Sequence, residues 1–168
     1  MIIGKTINEM KCGDAVELTK TVTESYIYMF AGLSGDVNPA HLDESYAEKT
    51  PFKKRIAHGM LTAGYISAIL GNQLPGPGTI YMGQDLKFLA PVFIGDTITV
   101  RVEVAELIPE KNQVRMKTTC TNQDGKLVLT GEALVCAPKQ AASVVTPLKV
   151  VGNYDAGLPM KYPVGMQL

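Results

Sequence analysis

Gly59-Met60-Leu61-Thr62-Ala63-Gly64-Tyr65-Ile66-Ser67-Ala68-Ile69-Leu70 is apolar on nearly every face and is followed by Gly71-Asn72. A helix without a polar face is a buried one, so this stretch predicts a central helix with the rest of the chain wrapped around it. Downstream the character changes to β-rich runs over Thr79–Phe88, Thr97–Leu107, Gln113–Asn122 and Lys126–Cys136. Gly95-Asp96 and Asp124-Gly125 mark tight turns between them, which favours antiparallel pairing through short connections. Upstream, Asp14–Val22 reads as a first strand, and Thr21 with Glu24 offers a capping box for a helix through Tyr26, Met29 and Phe30 that stops near Gly32. Asp43 is placed to cap a short helix over Glu44–Lys49, ended by Thr50-Pro51. The order predicts an α+β domain: a curved antiparallel sheet around one buried helix.

The chain has 168 residues, enough for one domain and too few for two. Its 16 Lys+Arg balance 16 Asp+Glu, which removes the basic excess a nucleic-acid binder needs. With 46% apolar and 19% charged residues the composition is that of a folded globular protein. Lys5 and Glu9 interrupt any secretory apolar region, and no run approaches the ~20 apolar residues of a membrane span, so a cytoplasmic protein is expected. Cys12, Cys120 and Cys136 form no C-x-x-C pair and read as reduced core filler. Residues 1–137 hold all the predicted elements. The remainder, 138–168, carries Pro147, Pro159 and Pro163 with little periodicity and reads as an extended arm.

Both histidines of the motif region lie between residues 41 and 58. Asp36 and His41 flank an Asn38-Pro39 turn, a spacing that allows an acid/base pair, or Asx-turn bonds from Asp36 and Asn38 with His41 capping or packing. Gly32-x-Ser34 lacks the second glycine of a nucleophile elbow, because Asp36 stands there, which argues against a serine hydrolase. No H-E-x-x-H occurs, and two histidines seventeen residues apart without a nearby cysteine make a poor zinc set, so no metal is expected. Gly59 opens the central helix, where an unpaired N–H and the helix dipole can hold an oxyanion, or where a missing Cβ serves only a close fit. Lys49, Lys53, Lys54 and Arg55 cluster just ahead of it, either as a solvated face or as a dock for phosphates.

Ser34-Gly35-Asp36-Val37-Asn38-Pro39-Ala40-His41, followed by Arg55-Ile56-Ala57-His58-Gly59-Met60, resembles the MaoC-like family of (R)-specific enoyl-CoA hydratases. Gln73-Leu74-Pro75-Gly76 through Ile80–Gln84 to Phe93-Ile94-Gly95-Asp96 is similar to the short polyhydroxyalkanoate-linked members, and the likeness spans about residues 10–137. The resemblance implies a hot-dog fold, a homodimer, and an acyl-CoA thioester as substrate, with no cofactor. It implies Asp36 and His41 as the hydratase dyad, Asn38 orienting their turn, and the Gly59 N–H at the thioester carbonyl. Some relatives carry a serine on the central helix that steadies the aspartate, and the resemblance places Gly64 at that position. A dehydratase acting on acyl carrier protein or a hydratase for a specialised short or branched acyl-CoA, a hot-dog thioesterase and a non-catalytic acyl-binding module are the alternatives. The first differs only in carrier or acyl group, and the paired Asp36 and His41 argue against the other two.

Overall fold

A computed structural model describes residues 2–140 and 143–144 of the chain. In order it contains β1 (Ile2–Ile3), β2 (Ala15–Thr21), α1 (Glu24–Ser34), α2 (Pro39–Leu42), α3 (Glu44–Ala47), α4 (Gly59–Asn72), β3 (Ile80–Phe88), β4 (Thr97–Ile108), β5 (Gln113–Thr121), β6 (Leu127–Cys136) and β7 (Ser143–Val144). Apart from 138–140 and β7, the expected C-terminal arm lies outside the described residues.

Five strands form one antiparallel sheet in the order β2-β4-β5-β6-β3, and the short β1 and β7 pair separately. Period-2 alternation explains which face is inside. Ile98, Val100, Val102 and Val104 of β4 and Val114, Met116, Thr118 and Cys120 of β5 are all buried, as are Ala133 and Val135 of β6. Between them the outer face carries cross-strand ion pairs, Arg101 with Glu17 and Arg115 with Glu132. Ala63, Ile66, Ile69 and Leu70 of α4 are buried in the same core. The single long apolar helix therefore packs on the inner face of the curved sheet, the hot-dog architecture.

Element boundaries move by one or two residues from the sequence reading, with three differences of substance. The cap of α1 is Thr23, whose hydroxyl accepts from the Tyr26 N–H; Thr21 is still in β2, its hydroxyl 2.9 Å from that of Thr97. The Asn38-Pro39 turn is also a helix start: Asn38 Oδ1 accepts from the Ala40 N–H and Pro39 occupies the first position of α2. The cysteines differ among themselves. Cys120 is core, its thiol pushed up to about 12 by desolvation, whereas Cys12 is exposed. No helix among the described residues is long and apolar enough to cross a membrane.

Candidate active site

α1 ends where Gly35 takes φ 77°, a left-handed cap that a side chain rarely adopts. The chain then turns back through Asp36 and α2. Local side-chain bonds set this overhang: the Asp36 N–H donates to Ser34 Oγ (3.2 Å) and the Asn38 N–H to Asp36 Oδ1 (3.2 Å). Asp36 leaves its side chain half exposed, while that of His41 is only 12% exposed. Asp36 Oδ2 and His41 Nε2 are 4.0 Å apart. That exceeds a direct hydrogen bond and leaves a gap that one water can bridge.

His41 Nδ1 lies 2.8 Å from the Ile56 carbonyl oxygen. A carbonyl only accepts, so Nδ1 carries a proton, and the tautomer with that proton alone leaves the Nε2 lone pair towards Asp36. This is the tautomer a general base requires.

Both side chains open on a cavity of about 590 Å³ whose wall is mainly apolar, with Phe30, Phe52, Met60, Phe88, Val92 and Leu129 among its lining. Gly59, the first residue of the 14-residue α4, is also in the wall. The first turn of such a helix presents unpaired N–H groups and the positive end of its dipole. The structure supports the close-fit reading of Gly59, because a Cβ there would stand 2.7 Å from the Phe88 ring. The two readings of this glycine are compatible.

Other expected residues are placed differently. Gly64 is on the exposed face of α4, with nothing within 4 Å of where its Cβ would be, and is absent from the cavity wall. A helix turns its residues around the axis, and position 64 points away from the site within this subunit; Thr62 is the α4 hydroxyl that lines the cavity. Arg55 is also corrected: its guanidinium bonds Glu24, Glu44 and Tyr28 and ties α1 to α3, so it is not a free phosphate dock. Those carboxylates hold its pKa further above the ordinary arginine range. Lys53 and Lys54 are exposed beside Phe52, which lines the cavity.

His58 is the residue that the sequence did not flag as part of the site. Its ring centroid is 3.9 Å from that of His41, and ligand atoms of Asp36, His41 and His58 all lie within 4.8 Å of one another. The seventeen-residue spacing concealed this proximity, since the intervening chain doubles back to α4. One nitrogen of each ring is already committed to a backbone carbonyl.

Comparison with known proteins agrees with this architecture. Residues 8–126 match the MaoC-like domain family. The chain is 59% identical over 130 residues to an (R)-specific enoyl-CoA hydratase of Rhodospirillum rubrum, covering 77% of this chain and 90% of that one. It is 52% identical to a 3-hydroxybutyryl-CoA dehydratase of Methylorubrum extorquens, covering 86% and 92%. The solved structure of an unliganded R-hydratase from Pseudomonas aeruginosa superposes with a TM-score of 0.81 at 43% identity, over 99% of each chain. A curved sheet around α4, an Asp36/His41 pair at an apolar cavity and relatives of this similarity lead to one conclusion: the chain belongs to the MaoC-like family of (R)-specific enoyl-CoA hydratases, with the hot-dog fold.

Proposed function

We propose that Asp36 and His41 hold and activate one water for its reversible addition across the double bond of a trans-2-enoyl-CoA, giving an (R)-3-hydroxyacyl-CoA. The observation that carries this is the 4.0 Å gap between Asp36 Oδ2 and His41 Nε2 at the wall of an apolar cavity, with His41 Nδ1 engaged by the Ile56 carbonyl. The reaction needs the water deprotonated as it attacks C3, a proton delivered to C2, and the enolate charge on the thioester oxygen stabilised. The dyad performs the two proton transfers. The Gly59 N–H and the α4 dipole bind the thioester oxygen, where charge develops. Asn38 supports the geometry by bonding Asp36 Oδ1 through its N–H and capping α2 through its side chain. No redox or cofactor step enters this chemistry, and coenzyme A is part of the substrate. The setting is cytoplasmic, where CoA thioesters turn over.

The enzyme works as a homodimer. β3 is a sheet edge, and Ile80, Met82 and Phe88 on it are at least half exposed, as is Met60 at the start of α4. Pairing two such edges removes the open ladder and covers these side chains, and it brings the dimer interface to the cavity, which Met60 and Phe88 line. Lys53 and Lys54 dock the CoA phosphates at the cavity mouth.

Incubating the protein with crotonyl-CoA tests the reading. Loss of enone absorbance with (R)-3-hydroxybutyryl-CoA as the product supports it. Release of free thiol without hydration, or formation of the (S) product, overturns it.

A further inference from the structure

The bonds that shape Asp36 locally come from within two residues, Ser34 and Asn38. One bond reaches it from a distant part of the chain. His58 Nε2 lies 2.9 Å from the Asp36 carbonyl oxygen, across 22 residues of sequence. Because that oxygen only accepts, Nε2 carries the proton, and in the neutral ring Nδ1 is left as an acceptor. Nδ1 is buried and has no partner among the described residues. Four residues further on, in α4, the Thr62 hydroxyl oxygen is also buried and without a partner among the described residues, and both residues line the cavity.

The ring itself is fixed from two sides. It is only 2% exposed, with the Phe30 ring 4.9 Å away and the His41 ring 3.9 Å away, centroid to centroid. His58 occupies the cap position of α4 yet makes no side-chain cap bond, so its hydrogen-bonding capacity is directed at Asp36 rather than at its own helix. It also directly precedes Gly59.

We propose that His58 is a positioning residue for the dyad: its neutral, Nε2-protonated ring ties the Asp36 turn to the start of α4 and backs the His41 ring. The carboxylate, the imidazole and the Gly59 N–H are thereby kept in one geometry. The proposal rests on the hydration reading above. It assigns His58 no contact with the reacting atoms; a small displacement of groups that must be aligned is enough to slow turnover by up to about 10²-fold.

The test uses the full-length protein, three variants and one spectrum. His58→Phe keeps a ring between Phe30 and His41 but removes the donor. His58→Gln carries an amide nitrogen about as far from the backbone as Nε2, and His58→Asn one only as far as Nδ1. The expected result with crotonyl-CoA is a kcat about 10- to 100-fold lower for His58→Phe and His58→Asn, with KM within about twofold of the parent, and substantial recovery of kcat in His58→Gln. In the parent, ¹⁵N NMR of His58 should report a protonated Nε2 and an unprotonated Nδ1. Parental kcat in a folded His58→Phe, or no recovery in His58→Gln, overturns the proposal. So does an Nδ1-protonated ring, a result obtained even where a variant fails to fold. A parent that shows the predicted tautomer but does not hydrate crotonyl-CoA defeats the hydration reading and leaves the tie between His58 and Asp36 standing.

Discussion

The overhang from Gly35 to Gly59 and the β4-β5-β6 sheet are built by different means. The sheet is held by continuous antiparallel ladders and by inward-facing side chains, with Val100, Val102, Val114, Met116 and Cys120 fully buried. The overhang buries little beyond Ala47, Ala57 and His58. Short side-chain-to-backbone bonds hold it, together with a few distant ties: His41 to Ile56, His58 to Asp36, and Arg55 to Glu24 and Glu44. The proposed chemistry therefore sits on a loop-rich segment fixed to a rigid scaffold, and most of the stability resides elsewhere. The two properties should separate under mutation.

The largest expected separation is in the dyad. Asp36→Asn and His41→Ala should each cut crotonyl-CoA turnover by about 10²–10⁴-fold. Thermal unfolding should stay near parental for Asp36→Asn, whose side chain is half exposed, and fall only modestly for His41→Ala, which loses the tie to Ile56 but no part of the hydrophobic core. The converse is Ile69→Ala on α4. Ile69 is fully buried, so the cavity left behind should cost about 2–5 kcal/mol on denaturant unfolding, while kcat per folded molecule stays close to parental.

Gly59→Ala tests the point where the two regions meet. The new methyl must displace the Phe88 ring, and turnover should fall by up to about 10²-fold through misalignment. Adding Phe88→Ala should restore part of it. A double variant no faster than Gly59→Ala would show that room for Phe88 is not what this glycine supplies.

The smallest effect is expected at Lys53 and Lys54. Exposed ion pairs are weak and are screened over about 8 Å at physiological salt. Their double alanine variant should raise the KM for crotonyl-CoA by about 2- to 10-fold, flatten its salt dependence, and leave kcat alone. An unchanged KM and salt slope would assign the phosphates to another surface.

Legibility in the sequence followed the same division. The largely apolar Gly59–Leu70 run and the four β-rich runs were sufficient for the fold, because core burial writes itself as a pattern over many residues. The MaoC-like resemblance, carried by Ser34–His41 and Arg55–Met60, is borne out by relatives up to 59% identical over 130 residues. Single residues were harder. Gly64 was placed by analogy, and only the rotation of α4 shows that it faces away from the cavity. Arg55 looked like part of a basic patch, yet its carboxylate partners are 11 and 31 residues distant. His58 adjoins His41 through a fold-back that linear spacing does not encode. The one available signal was its place in His58-Gly59-Met60, where a histidine at a helix start had no capping duty to perform.

The most direct test of the central claim, that Asp36 and His41 act as a unit on one water, is a double-mutant cycle on kcat with crotonyl-CoA. Asp36→Asn, His41→Ala and the double variant are measured after each is shown to be folded. Two groups holding the same water should be strongly non-additive, with the double variant hardly slower than the slower single one. A double variant whose loss equals the product of the two single losses, or a folded single variant at parental turnover, would contradict the account.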